Sequence, residues 1–324
     1  AHRQPGSAFK PVIYATAMAQ GMSPSTQILD APVVYEQEAD DKIWKPENYG
    51  RKFHGMVTLR DALAHSHNLA TVRLLDKVGI KNVIEFSRTV GVTSPLPADL
   101  SLGLGSSSIG LLELTSVYGV FLNKGTRAEP FTIKLAKDNA GKTLESAEDQ
   151  PHEVIAKETA YLITNMMEDV IQKGTGQAAK VIDRPIAGKT GTTNEYINAW
   201  FIGGTPNLVT GVYVGFDDRR PLGESETGAR SALPIWIQFM KDALLQLPVV
   251  PFEIPEGITY VKVDPATGLL ESEQEGEGEK GSVELFAKGS EPTQPAARRL
   301  GPTDFYKLDQ IPEGGPVGEG TGQP

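Results

Sequence analysis

Three short groups of residues carry side chains suited to nucleophilic and acid–base chemistry. The first is Ser7 with Lys10, three positions apart and therefore on one face of any helix that includes both. The second is Ser66-His67-Asn68, a hydroxyl, an imidazole and an amide in succession. The third is Gly188-Lys189-Thr190-Gly191-Thr192-Thr193, followed by Ala199-Trp200-Phe201. On a strand, Thr190 and Thr192 point to one side and offer hydroxyls, while Lys189 offers a positive charge. Gly191 has no Cβ, so another backbone can pass close to the strand. That combination is a site for a carboxylate lying along a strand edge. Each group also has an ordinary structural reading: Ser7 as a helix N-cap, Lys10 as a solvated charge, Ser66–Asn68 as a capped turn with His67 a bystander, and Lys-Thr-Gly as a plain turn.

The elements that position these groups follow from pattern. Val12 to Ala19 is apolar almost all round and stops at Gly21, which predicts a buried helix. Pro11 is tolerable only in its first turn, so the helix starts near Ser7. A lysine on such a helix is costly to bury unpaired. Thr58-Leu59-Arg60-Asp61 reads as a capping box opening a short helix, and a second helix runs from Leu69 to Val78 with Gly79 as its stop. Ser66-His67-Asn68 is then a polar tip between two apolar helices. Further helices are expected over 80–90, 111–122, 158–171 and 233–247. The apolar run from Val181 to Ala187 leads Lys189 onto a strand, and residues 199–203 and 208–216 form a hairpin about Thr205-Pro206-Asn207. Residues 22–56 read as loops with one short extended pair near Val33–Tyr35 and Trp44–Pro46. Residues 127–155 read as a small β excursion, with strands near Phe131–Ile133 and Ala140–Lys142, and 258–263 as a strand.

The chain of 324 residues is 39% apolar and 22% charged, as in soluble globular proteins. It has no cysteine, which excludes disulfides and thiol chemistry. No apolar run reaches a membrane-spanning length. Of the net charge of −10, residues 251–324 contribute −8, from 6 basic and 14 acidic residues. The near-neutral body has no nucleic-acid footprint. The expected organisation is a domain over 1–248, an extension packed on it over 249–270, and an acidic Gly/Pro-rich tail over 271–324. That tail has too little apolar surface to offset its ordering entropy.

Taken in order, Ser-x-x-Lys at a helix start, Ser-x-Asn at a tip between helices and Lys-Thr-Gly on a strand resemble the signature of penicillin-binding proteins and class A β-lactamases, with His67 where that pattern has Asp. The likeness extends to Arg3 through Pro11, Ser66 through Ala70, Leu102-Gly103-Leu104-Gly105, Tyr118 with Asn123-Lys124-Gly125, Lys173-Gly174-Thr175-Gly176, and Lys189 through Asn194 with Ala199-Trp200-Phe201. These segments are similar to the class A, bifunctional penicillin-binding proteins over roughly residues 3–245.

The resemblance implies an α+β transpeptidase fold, an antiparallel sheet flanked by helices, with the N-terminal sheet strands missing from this chain. It implies a D-alanyl-D-alanine transpeptidase in which Ser7 is the nucleophile, Lys10 its base, Ser66 the proton relay and Asn68 a donor to a substrate amide. Lys189, Thr190 and Thr192 bind the terminal carboxylate, in a substrate strand that includes Gly191 and Thr193. Amides near Ser7 and at Thr192 hold the oxyanion. The implied partners are peptidoglycan stem peptides, β-lactam antibiotics, the upstream segment or its glycosyltransferase domain, and other cell-wall synthesis proteins. The implied location is the outer, periplasmic face of a bacterial cytoplasmic membrane, and no metal or cofactor is implied. Asn198 stands where the family usually has Asp, which weakens a local polar contact. Two rivals share the fold. A serine β-lactamase needs a carboxylate-activated water, for which Glu36, Glu38, Glu47 and Glu113 are present but no Glu-x-x-x-Asn loop motif is. A non-enzymatic β-lactam sensor would show no acyl transfer.

Overall fold

The apolar run after Pro11 forms α1, Lys10–Ala19, in which every residue from Lys10 to Met18 is buried. The residues before it, Gly6–Phe9, make a tighter 3₁₀ turn, so the helical path does begin beside Ser7. Tyr118 fixes that turn by donating its buried hydroxyl to the Ala8 carbonyl at 2.8 Å. The structure, a computed structural model, describes residues 2–37, 42–148, 150–271 and 281–297.

Around α1 lie short strands and helices in chain order. The strands are β1 (His2–Arg3), β2 (Gln27–Asp30), β3 (Tyr35–Gln37), β4 (Lys42–Trp44) and β5 (Gly55–Thr58). β2 pairs with β5 and β3 with β4, both antiparallel. The segment expected to hold one extended pair therefore holds two, because four-residue strands are too short to show a period. Thr58 caps α2 (Leu59–Ala64) by accepting the Asp61 amide at 3.1 Å. Then come α3 (Asn68–Val78) and α4 (Ile80–Thr89), joined at Gly79, and β6 (Ile109–Gly110), which pairs with β1. α5 (Leu111–Leu122) and α6 (Lys157–Gln172) enclose the β excursion. Its strands are β7 (Thr126–Arg127), β8 (Leu135–Lys137), β9 (Thr143–Ser146) and β10 (His152–Glu153), in the pairs β7–β10 and β8–β9. Residues 140–142, expected as strand, are a turn held by the Asp138 carboxylate.

The central sheet is β11 (Ala187–Thr192), β12 (Asn198–Thr205) and β13 (Leu208–Gly215), antiparallel in that order. Val181 and Ile182 are not part of β11 but of a 3₁₀ turn that ends with Asp183 at φ 53°. Pro185, without an amide hydrogen, keeps the ladder from starting before Ala187. β12 is buried on both faces. Trp200 and Ile202 enter the core built by α1, α5 and α6. Phe201 faces the opposite layer and meets Trp236 of α7 (Leu233–Ala243) edge-on at 4.8 Å.

Gly6 and Gly191 bring the 3₁₀ turn against β11. Gly6 adopts φ 55°, and a Cβ there would overlap the Thr192 carbonyl oxygen. A Cβ on Gly191 would overlap the Pro5 carbonyl oxygen and stand 2.9 Å from both Ala8 Cβ and Trp200 Cβ. The two backbones meet only because both side chains are absent.

The reading of 271–324 as a mobile tail is corrected in part. Ser282–Ala287 is a strand, β15, paired along its whole length with β14 (Ile258–Val263). The sequence hid it because Val283, Leu285, Phe286 and Ala287 make only a short apolar run within an acidic, Gly-rich segment. Phe286 is fully buried, and Glu284 takes a bidentate contact from Arg60 of α2 at 2.5 and 2.8 Å. Arg60 also bonds Asp169 of α6 at 2.8 Å. Residues 272–280 and 298–324 lie outside the described residues. Phe252 and Ile258 join the main core, so the segment after α7 packs on the domain.

Two stability outcomes follow. Glu284→Ala strands a guanidinium whose side chain is 12% exposed, and urea denaturation should show a loss on the order of 2–4 kcal/mol, moderated by Asp169. Gly191→Ala should cost about 1–3 kcal/mol by overpacking. Gly50→Ala, where a Cβ meets nothing within 4 Å, should leave the same unfolding midpoint nearly unchanged.

Candidate active site

The three sequence groups converge on the hydroxyl of Ser66. Lys189 Nζ donates to Ser66 Oγ at 2.9 Å, and Lys10 Nζ lies 3.3 Å from the same oxygen. Lys10 Nζ also reaches the Ser66 carbonyl at 2.8 Å, the His67 carbonyl at 3.2 Å and Asn68 Oδ1 at 2.8 Å. Both lysines are fully buried. Burial, and then the nearby charge of Lys189, holds the Lys10 amine well below its usual range, while Asp30 pulls the other way. Burial lowers Lys189 to about 7. Ser66 itself stands at φ 62°, a strained conformation for a non-glycine residue. Ser7 is half-buried one turn before Lys10, and its hydroxyl makes no hydrogen bond to a described residue.

The strand residues divide by face. Lys189 is fully buried and turns to Ser66. Thr190 Oγ1 is 2.6 Å from Thr175 Oγ1, and Thr192 Oγ1 accepts the Gly228 amide at 3.0 Å. Thr193 Oγ1 accepts from the Asn198 backbone at 3.0 Å and from its side-chain amide at 3.3 Å. Asn198 Oδ1 in turn takes the Tyr213 hydroxyl at 3.0 Å. Asn198 thus makes a full set of polar contacts, and Thr193 serves the strand end.

A second network holds the Ser66–Asn68 tip. Asn48 Oδ1 accepts the amides of Asn68 at 2.7 Å and Leu69 at 3.2 Å, capping α3 from a distant loop. Asn48 Nδ2 donates to both oxygens of Asp30 at 2.9 and 2.8 Å. Burial of Asp30 opposes its ionisation, yet the bonds from Asn48 and His54 outweigh it and keep the carboxyl below its usual range. Asn68 Nδ2 reaches the Glu47 carbonyl at 2.8 Å. His67 is stacked between His54, at 4.1 Å, and His65, at 5.8 Å. Burial and then His54 push its imidazole down to about 4.

Sequence reasoning missed Asp30, Asn48 and Thr175 as parts of the site. Asn48 lies in a loop with no periodic signal, and its partners in the site, Asp30, Asn68 and Leu69, are 18 to 21 positions away. Thr175 was visible within Lys173-Gly174-Thr175-Gly176 but without a role. Of the carboxylates considered for activating water, Glu113 is spent on the amides of Thr93, Ser94 and Gly110 and on the Ser94 hydroxyl. Glu47 pairs with Arg51 at the surface, while Glu38 and the Glu36 side chain lie outside what is described.

The chain is similar to known proteins over most of its length. Residues 1–240 match the family of the penicillin binding protein transpeptidase domain. The penicillin-binding protein 1A of Aquifex aeolicus is 42% identical over 290 residues, covering 90% of this chain and 39% of that protein. That of Pseudomonas aeruginosa is 33% identical, covering 94% of this chain and 43% of that protein. The chain therefore spans about two fifths of the length of these relatives. Among solved structures, penicillin-binding protein 1A from Haemophilus influenzae superposes with a TM-score of 0.84 at 33% identity, over 91% of this chain and 49% of the other. PonA1 from Mycobacterium tuberculosis, in complex with penicillin V, gives 0.69 at 25% identity, over 79% of this chain and 73% of the other. The serine hydroxyl held between two buried amines, on this fold, is the arrangement of a chain that belongs to the penicillin-binding protein transpeptidase domain family.

Proposed function

We propose that the chain carries out D,D-transpeptidation, cross-linking peptidoglycan stem peptides through an acyl-enzyme on Ser7. The observation that carries this reading is Ser66 Oγ lying within reach of both Lys10 Nζ and Lys189 Nζ. Ser7 Oγ attacks the carbonyl of the terminal D-alanyl-D-alanine bond and gives its proton to the neutral Lys10 amine. In this reading the amides of Ser7 and Thr192 hold the oxyanion, where one such donor is worth about 100–1,000-fold in rate. Ser66 delivers a proton to the departing D-alanine amine, replenished from the lysines on either side. An acceptor amine then takes the acyl group and frees Ser7. Thr190 and Thr192 offer hydroxyls to the substrate carboxylate, with Lys189 acting through its field. Asn68 keeps one amide oxygen on Lys10 while its nitrogen is anchored on Glu47.

A β-lactam follows the same first step: Ser7 Oγ bonds to the lactam carbonyl, the ring C–N bond breaks, and the freed amine stays tethered to the acyl group instead of departing. The penicillin V complex of the mycobacterial relative supports that substrate class. The engagement of Glu113 and Glu47 elsewhere favours slow release over β-lactamase turnover. The working location is the outer face of a bacterial cytoplasmic membrane. The β13 edge away from β12 has no strand partner among the described residues, and the upstream segment is the partner expected there.

Fluorescent penicillin, with Ser7→Ala as control and mass spectrometry after a long chase, tests the assignment. A stable adduct confined to Ser7 is expected. No adduct on Ser7, or release faster than any transfer to an amine, contradicts the reading. The acylation rate constant should fall as the pH rises through about 7. There Lys189 gives up the charge that acts on the substrate carboxylate and helps keep Lys10 neutral.

A further inference from the structure

Beside the catalytic tip, three side chains from separate elements converge: Asp30 at the end of β2, His54 just before β5, and His67 at the start of α3. One donor atom from each lies within 4.8 Å of the other two. We propose that Asp30, His54 and His67 bind a divalent cation of the zinc class, and that this cation fastens the Ser66–Asn68 tip.

The Asp30 side chain is completely buried, and His54 is the one ionisable partner within ion-pair reach among the described residues. A carboxylate removed from water needs a cation or several donors. Asp30 has Asn48 on both oxygens and the His54 amide at 3.1 Å, which fix its plane. His54 Nδ1 meets Asp30 Oδ2 at 2.6 Å. That hydrogen bond accounts for two of the three residues but not for His67. The His67 ring is stacked face to face on His54, and neither of its ring nitrogens bonds a described residue. Its pattern is that of an imidazole held in place with its nitrogens still to be used.

The donor set is chemically specific. Two imidazoles and one carboxylate are a common set for three-ligand zinc sites, with the fourth position left to water. Tetrahedral donors stand roughly 3.4 Å apart, so the 2.6 Å contact between Asp30 and His54 opens on binding while the wider spacings, up to 4.8 Å, close by as much as about 1.4 Å. The His54 side chain is 41% exposed and free to make that adjustment. The supporting bonds belong to the same design, because ligand carboxylates are normally oriented by a further shell. Here Asn48 is that shell, and it simultaneously caps Asn68 and Leu69. His67 lies between Ser66 and Asn68 in the chain, so a cation on its ring ties β2 and the turn before β5 to the loop that holds Lys10. His67 is in this account a positioning residue. It touches no reacting atom.

The test is metal binding itself. The chain, stripped with a chelator and dialysed against micromolar zinc, should retain about one zinc by mass spectrometry, and cobalt in its place should give visible absorption typical of a tetrahedral site. His54→Gln and His67→Gln should each weaken retention roughly 10–100-fold, with circular dichroism confirming the fold. A variant lacking His2 and His152 should retain the metal unchanged. Substoichiometric zinc in the unaltered chain overturns the proposal. So does zinc retained equally in the His54 and His67 variants.

Discussion

Two buried amines share one serine hydroxyl, and most of the rest of the architecture exists to make that tolerable. An ammonium moved into a protein interior loses its hydration, so it must either find oxygens or lose its proton. Lys10 finds four oxygens on the Ser66–Asn68 tip, while Lys189 has the Ser66 hydroxyl and the Thr190 carbonyl. Both amines are nonetheless lowered, and this is the condition in which an amine can accept a proton near neutral pH. The geometry needs Ser66 at φ 62°, a conformation with its own cost, held by contacts on every side.

Those contacts come from three directions. α1 delivers Lys10 from a helix buried all round, locked at its start by Tyr118 and by the close approach of Gly6 to β11. β11 delivers Lys189 from the strand whose register with β12 is continuous from Ala187 to Thr192. The tip between α2 and α3 is held by Asn48, which links it to a buried carboxylate on β2. Farther out, Arg60 joins α2 to α6 and to β15, so the C-terminal strand braces the helix that ends at the tip.

Much of this was legible in the sequence for physical reasons. An apolar helix with one lysine, a polar tip between two apolar helices and a Gly-containing strand before a hairpin each leave a local pattern. Their order and element types carried the site. What was not legible depends on distance. Asp30, at a strand end, and Asn48, in a loop, are ordinary polar residues until the fold links them to the Asn68 amide. The full burial of Lys189 was not legible either, because alternation gives a face but not which side is solvent. The start of β11 was set by Pro185 and the left-handed Asp183, which outweighed the apolar run before them. β15 was hidden because its short apolar run sits in an acidic segment, and the ion pair and strand partner that dock it are distant in sequence.

The central claim is that Lys189 is an amine with a proton to exchange near neutrality. A chain labelled at lysine Cε, with the Lys189 signal assigned from Lys189→Arg, allows its ionisation to be followed directly by NMR titration. The account predicts an inflection at about 7 for Lys189. A Lys189 signal that stays in its ammonium position up to the ordinary lysine range, about 10.4, would contradict it.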